Sequence, residues 1–246
     1  AVFLQRPSDL GPEYSDEGYD LPPLDVRLHE VPTNHATAIP ERDGQRRMWK
    51  DTVFGLSEAA QEKQESLGTR IEKMLAILLE APQDHYVLWH DLEAERHAIT
   101  KAVPRATTVY GSQDLDERER IIIDFAEGRL SCLAGKPMMF SAGVNWQYHC
   151  HRAIYLGISF KFSDFVQSIH RLRRYLQRYP VRIDLIYTEA ERSVKKVLEQ
   201  KWQRYDRQCA KMSALIQEHG LANLTKAHAM QRSLGVQRQE VQGETF

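Results

Sequence analysis

At 246 residues the chain can hold one sizeable domain with extensions or two small ones, and an apolar fraction of 42% permits a real core. No apolar run approaches the ~20 residues that span a bilayer, and the N-terminus lacks the basic, apolar and small-residue order of a signal peptide, so the sequence reads as that of a soluble intracellular protein. A net charge of −1 gives no global attraction to a polyanion, so any contact with nucleic acid has to come from local basic faces.

Residues 1–48 hold more than half of the prolines and read as a connecting segment, within which LPPLDVRLHEV can supply one strand after its prolines. From about Leu56 the spacing becomes helical, and Leu67, Ile71, Met74, Leu75, Leu78 and Leu79 predict a helix that ends before Pro82. Between 86 and 187, the runs YVLWH, ATTVY, LSCLA, RAIYLGI and VRIDLIY read as short buried strands separated by polar segments of helical spacing. That alternation predicts an α/β fold, a mostly parallel sheet with helices on both faces. Asp114 with Glu117, and Thr188 with Glu191, match capping boxes at helix starts. After Thr188 a long helix runs to about Glu218, with Val194, Val197, Leu198, Trp202 and Tyr205 at helical spacing. The expected organisation is a connector over 1–48, an α/β lobe over 49–200, and a helical extension and linker over 201–246.

Cys132, Cys150 and Cys209 are widely spaced and form no CxxC pair, which argues against a disulfide framework and a structural zinc site. His149 and His151 flank Cys150, but in an extended segment the histidines share one face and the cysteine points away, so the trio does not converge on one ion. Trp89 and Trp146 follow strand-like apolar residues and read as core, against the alternative that they stack on bases or adenine. No G-x-S-x-G elbow is present for Ser-His-Asp chemistry.

The densest chemistry lies at 167–177, QSIHRLRRYLQ. Placed on a helix, Gln167, Arg171, Arg174 and Arg178 share one face, while Phe165, Ile169, Leu172 and Leu176 form a second stripe nearly opposite. Five arginines between 171 and 182, with no acid among them, suit phosphate. The alternative is a solvated basic helix face.

The pattern Q-x-x-x-R-x-x-R-x-x-Q in Gln167, Arg171, Arg174 and Gln177 resembles motif VI of superfamily-two helicases, in particular of the Swi/Snf-like branch. That family has glycine before the final glutamine, where this chain has Leu176. The segment MMFSAGVNWQ, with Ser141, Gly143 and Asn145 in small-x-Gly-x-Asn spacing, resembles motif V. YVLWHDLEAER is similar to motif IV, and VYGSQDLDERERIIIDFAEG to the family's Gly…Arg…Phe-x-x-Gly stretch, so four stretches occur in the family's order; the N-terminal RPSDLG and LPPL pieces also resemble the family's passage from lobe one into lobe two, and the resemblance covers about residues 1–205.

The resemblance implies the C-terminal RecA-like lobe of a DNA translocase. Arg171 and Arg174 would be arginine fingers on ATP, Gln167, Gly143 and Asn145 would contact the nucleotide, and Ser112, Lys136 and Ser141 would hold the DNA backbone. It implies Mg2+ and ATP held mainly by a first lobe, because no GxxxxGK[ST] loop occurs and Gly135-Lys136-Pro137 is not one, and no Asp-Glu box occurs. The lobe alone is expected to be inactive. Similar sequences occur in phage-type helicases fused to DNA methylases, which makes a downstream methylase a candidate partner and a bacterial or phage-infected cytoplasm the expected setting. A reading of another class stays open: a non-catalytic module that keeps the fold and binds nucleic acid or protein through its basic helix face.

Overall fold

The computed structural model describes residues 15–16, 21–32, 65–140, 145–157 and 162–219. Six strands form one sheet: β1 (Leu24–Val31), β2 (His85–Trp89), β3 (Ala106–Val109), β4 (Cys132–Gly135), β5 (Cys150–Tyr155) and β6 (Val181–Thr188). Among the described residues five α-helices accompany them: α1 (Leu67–Glu80), α2 (Glu93–Ala102), α3 (Leu115–Ala126), α4 (Phe162–Leu172) and α5 (Arg192–His219). The sheet order is β1-β6-β5-β2-β4-β3, and every pairing is parallel. The expected α/β class with a parallel sheet is therefore observed, and all five strand runs read between 86 and 187 fall on strands.

The two faces of the sheet carry different cores because residues alternate along each strand. Tyr86 and Leu88 point to one side, where they join Met74, Ile77, Leu78, Ile99 and Ile186 in an aliphatic cluster under α1 and α2. Trp89 points to the other side, into a layer of rings. Its indole lies 5.5 Å from Phe140 and 6.0 Å from Trp146, and Trp146 lies 5.4 Å from Phe125. Trp89 and Trp146 are 1% and 0% exposed, so both are core residues and offer no face to a base. Gly135 is required here, since a β-carbon on it would stand 2.6 Å from the Phe140 ring.

Local signals act where the sequence places them. Asp114 Oδ1 accepts from the amides of Asp116 and Glu117 at 3.0 and 3.2 Å and starts α3. At Thr188 only half of the expected box forms: Glu191 Oε2 accepts the Thr188 amide at 3.0 Å, while the threonine hydroxyl has no partner. A 3-10 turn, Glu189–Glu191, then precedes α5. In α1, Leu79 departs from its expected stripe and is 76% exposed, because the face buried against the sheet is centred on Arg70, Met74, Ile77 and Leu78.

The strand expected within the N-terminal connector is β1, which pairs with β6 along its whole length, from Leu24 opposite Val181 to Val31 opposite Thr188. The chain divides into two units. Leu21–Lys201 holds the sheet, and the other consists of residues 1–20 and 202–246. Within the second unit, the Trp202 and Tyr205 rings of α5 lie 6.2 Å apart, and burial beside Cys209 pushes the Tyr205 phenol up to about 12. Among the described residues no helix is long and apolar enough to cross a membrane.

Candidate functional site

Parallel strands bring all their carboxyl ends to one edge, and the natural place for a ligand is where neighbouring strands send the chain in opposite directions. Here β2 leads toward β3 on one side of the sheet and β5 leads toward β6 on the other, so the switch point lies between β2 and β5. A cleft opens there, lined by His90, Asp91, Tyr155, Gly157, Asp164 and Phe165 among others. The turn after β2 is built by Glu95, whose Oε2 accepts the amides of Asp91 and Leu92 at 2.8 and 2.9 Å.

His90 is 3% exposed and neither ring nitrogen has a hydrogen-bond partner. Burial, with the positive charge of Lys136 nearby, holds its imidazole down at about 4, so the ring is neutral at physiological pH. Among the described residues the lining includes two carboxylates, Asp91 and Asp164, and no lysine or arginine. The arginines of the sequence-predicted motif lie elsewhere.

They lie on and after α4. Phe165, Val166, Ile169 and Leu172 are buried, and the Phe165 ring meets Tyr155 at 5.2 Å. The expected four-residue helical face of Gln167, Arg171, Arg174 and Arg178 does not form, because α4 ends at Leu172. Arg174 and Arg178 stand beyond it on a turn, and Leu176 is 43% exposed rather than part of the buried stripe.

Beyond the helix the Gln177 amide donates to Arg174 O at 3.0 Å, closing a turn in which Leu176 takes the left-handed φ of +69°. Gln177 is buried, and its Nε2 donates to Leu172 O and to Cys150 O, each at 3.0 Å, which caps α4 and ties it to the start of β5.

Arg171 and Arg174 differ in setting. The Arg171 guanidinium stands 5.9 Å from the centre of the Trp146 ring, and its Nε is buried without a hydrogen-bond partner. Burial lowers its pKa from the ordinary arginine value, and the Tyr155 phenol acts in the opposite sense. Arg174 is exposed. Among the described residues neither arginine has a carboxylate partner. Gln167 is exposed on α4.

The other expected site residues are dispersed. Asn145 is exposed before β5, while Ser141 and Gly143 lie outside the described residues. Ser112 is exposed after β3. Lys136, after β4, pairs with Glu93 at 3.0 Å, and this contact, second to that of Arg96, holds the Glu93 carboxyl down at about 2. Burial pushes the Cys132 and Cys150 thiols up to about 12, and the Cys150 thiol is turned toward the carbonyls of His85 and Arg152, each 3.3 Å away.

The sequence reading gave no site role to the cleft residues His90, Asp91, Tyr155 and Asp164. The signal that could have found them is the position of His90 and Asp91 directly after a buried strand, but the switch point exists only once β2 and β5 are known to be neighbours.

No protein-family model matches this chain, and no curated protein matches it. Among solved structures, the chain is similar to the C-terminal part of the Fun30 ATPase domain, with 16% identity over 53% of this chain and 45% of that one and a TM-score of 0.47. It is also similar to a DEAD box protein from the hyperthermophile Methanococcus jannaschii, with 14% identity over 55% of this chain and 37% of that one and a TM-score of 0.46. A third is the C-terminal domain of the DEAD-box protein Dbp5, with 11% identity over 55% of this chain and 79% of that one and a TM-score of 0.47. The chain thus spans less than half the length of the first two.

Proposed function

We propose that this chain is the second ATPase lobe of a nucleic-acid helicase or translocase, of the Swi/Snf-like kind that its motif VI resembles, and that Arg171 and Arg174 act on ATP held by a first lobe. The observation that carries the reading is the unmatched arginine pair at the end of α4: two guanidiniums, one half-buried and one exposed, with no carboxylate partner among the described residues. An arginine that only packs is usually given its acceptors within the fold, whereas one that serves a ligand is left short of them.

Leu176 supports the same alignment. It occupies the position where the resembling family has glycine, and it adopts the backbone conformation that glycine favours, at φ +69°. Gln177, the last residue of the pattern, then acts inside the fold as the cap of α4.

In this reading Arg171 is oriented by the Trp146 face and offers its free donors to the γ-phosphate, and Arg174 adds a second guanidinium from the turn. Charge that develops on the phosphoryl oxygens as the bond to the leaving group lengthens is met by these donors. Mg2+ would be held by the first lobe, since among the described residues no cluster of three or more histidine, cysteine or carboxylate groups suits a metal. Gln167, Gly143 and Asn145 would complete the nucleotide contact from this lobe. Ser112, Lys136 and Ser141 would follow the DNA backbone, in which case Lys136 must exchange Glu93 for a phosphate.

The test is DNA-stimulated ATP hydrolysis by the two-lobe protein. Arg171→Ala and Arg174→Ala are each expected to lower kcat by about 10³-fold or more, with KM for ATP changed far less. If Arg174→Ala left the stimulated rate unchanged, the pair would not be fingers, and the non-catalytic binding module would be the better reading.

A further inference from the structure

The loop after α4 has a surface that the ATP-coupled role does not use. Of the arginines between Asp164 and Asp184, Arg171 and Arg174 are taken by the proposed nucleotide contact, Arg173 donates to Pro22 O at 2.9 Å, and Arg182 is buried and paired with Glu80 and Asp184, which leaves Arg178 to this surface. Tyr179 is 58% exposed and Tyr175 40% exposed, with Arg178 exposed between them. Gln177 holds this loop in place, for besides its two donated bonds its Oε1 accepts the Tyr179 amide at 3.0 Å.

The loop lies against the start of β5. The Tyr179 ring is 5.1 Å from His151 at an interplanar angle of 34°, and Tyr148, just before β5, is 53% exposed. Two acids at this edge are already engaged: Asp84 is met by Arg152 at 3.2 Å and lies 3.6 Å from His151, and Glu80 is met by Arg182 at 2.6 Å. The seam is at the amino ends of β5 and β6, opposite the cleft at the carboxyl ends of β2 and β5.

We propose that this seam binds single-stranded nucleic acid, with Tyr179 and Tyr175 stacking on bases and Arg178 on the phosphate backbone. Exposed tyrosines fixed on a turn offer flat faces at little entropic cost, and Arg178 between them matches a phosphate. A duplex keeps its bases stacked inside and has no free faces for these rings, so the surface selects the single strand. The inference does not depend on ATP hydrolysis.

Fluorescence anisotropy of the 246-residue chain with a labelled oligothymidylate, in the absence of nucleotide, tests it. Tyr179→Ala should weaken binding by about tenfold and Tyr179→Phe should bind as the parent does, because the stacking face is kept. Arg178→Ala should reduce the slope of log K against log salt by about 0.7. Tyr179→Ala should leave binding of the matching duplex unchanged. The proposal is overturned if the parent chain fails to bind the oligonucleotide at low salt, if Tyr179→Ala binds as tightly as the parent, or if the duplex loses the same factor.

Discussion

Two arginines taken out of water show opposite arrangements. Arg70, on α1, is 0% exposed and surrounded by acceptors: Ser66 Oγ at 2.7 Å, Leu156 O at 2.9 Å, Ile186 O at 3.4 Å and Glu191 Oε2 at 2.7 Å. It joins α1 to the ends of β5 and β6 and to the turn that begins α5. Arg171, on α4, is half-buried against an indole, and its Nε lacks a partner. Arg70 has its acceptors within the fold, and in the proposed reading Arg171 keeps its remaining donors for a ligand. That difference, rather than the count of arginines, is what the contrast between the two rests on.

The largest effect that can test this contrast is at Arg70. Arg70→Met should cost about 3–5 kcal/mol, because it strands the buried Glu191 carboxylate and two carbonyls, and urea unfolding of the variant measures it. A loss below about 1 kcal/mol would mean that Arg70 is no more structural than Arg171.

A smaller effect follows from His90, a buried polar group with no partner of either kind. The unfolded chain takes up its proton near the ordinary value of 6.5 and the folded chain only near 4. Stability is therefore unaffected by this group above pH 6.5, falls as pH drops through the interval, and loses roughly 3 kcal/mol by its end. His151 and His170, both lowered by burial, add to the same slope. Unfolding free energies measured at about pH 7 and about pH 5 should converge in His90→Asn relative to the parent.

Leu176→Gly should stabilise the protein by about 1 kcal/mol, as the left-handed strain of a branched residue exceeds the entropic cost of glycine. Thermal unfolding reads this directly, and a destabilisation would show that the Leu176 side chain is held by packing.

The smallest change is expected at Arg171 itself. Arg171→Met should alter stability by less than about 1 kcal/mol, since a half-buried cation with no carboxylate partner among the described residues is replaced by an apolar side chain that can keep the packing on Trp146. If its cost in urea unfolding matched that of Arg70→Met, the contrast between the two arginines would collapse.

Much of this was legible in the chain. Short apolar runs between polar segments located the strands, the Asp114 cap set the start of α3, and the acid-free arginine run marked the segment of interest. The same reading erred at α4, where a helix extended through Arg178 put four polar residues on one face. Helical periodicity continues past Leu172 in the sequence, and nothing local announces that Leu176 turns left-handed or that Gln177 reaches back to Cys150.

The sequence by itself determined the elements and their order, because hydrophobic period and capping chemistry act over a few residues. Only the tertiary structure decided that β5 crosses over to lie beside β2, that a neutral His90 is sealed at the resulting switch point, and that Arg70 is satisfied while Arg171 is not. Those outcomes depend on groups brought together from positions 86 to 121 residues apart, as in the Arg70 contacts to Leu156, Ile186 and Glu191. Sheet register and side-chain satisfaction are set by such pairings, which no local pattern encodes.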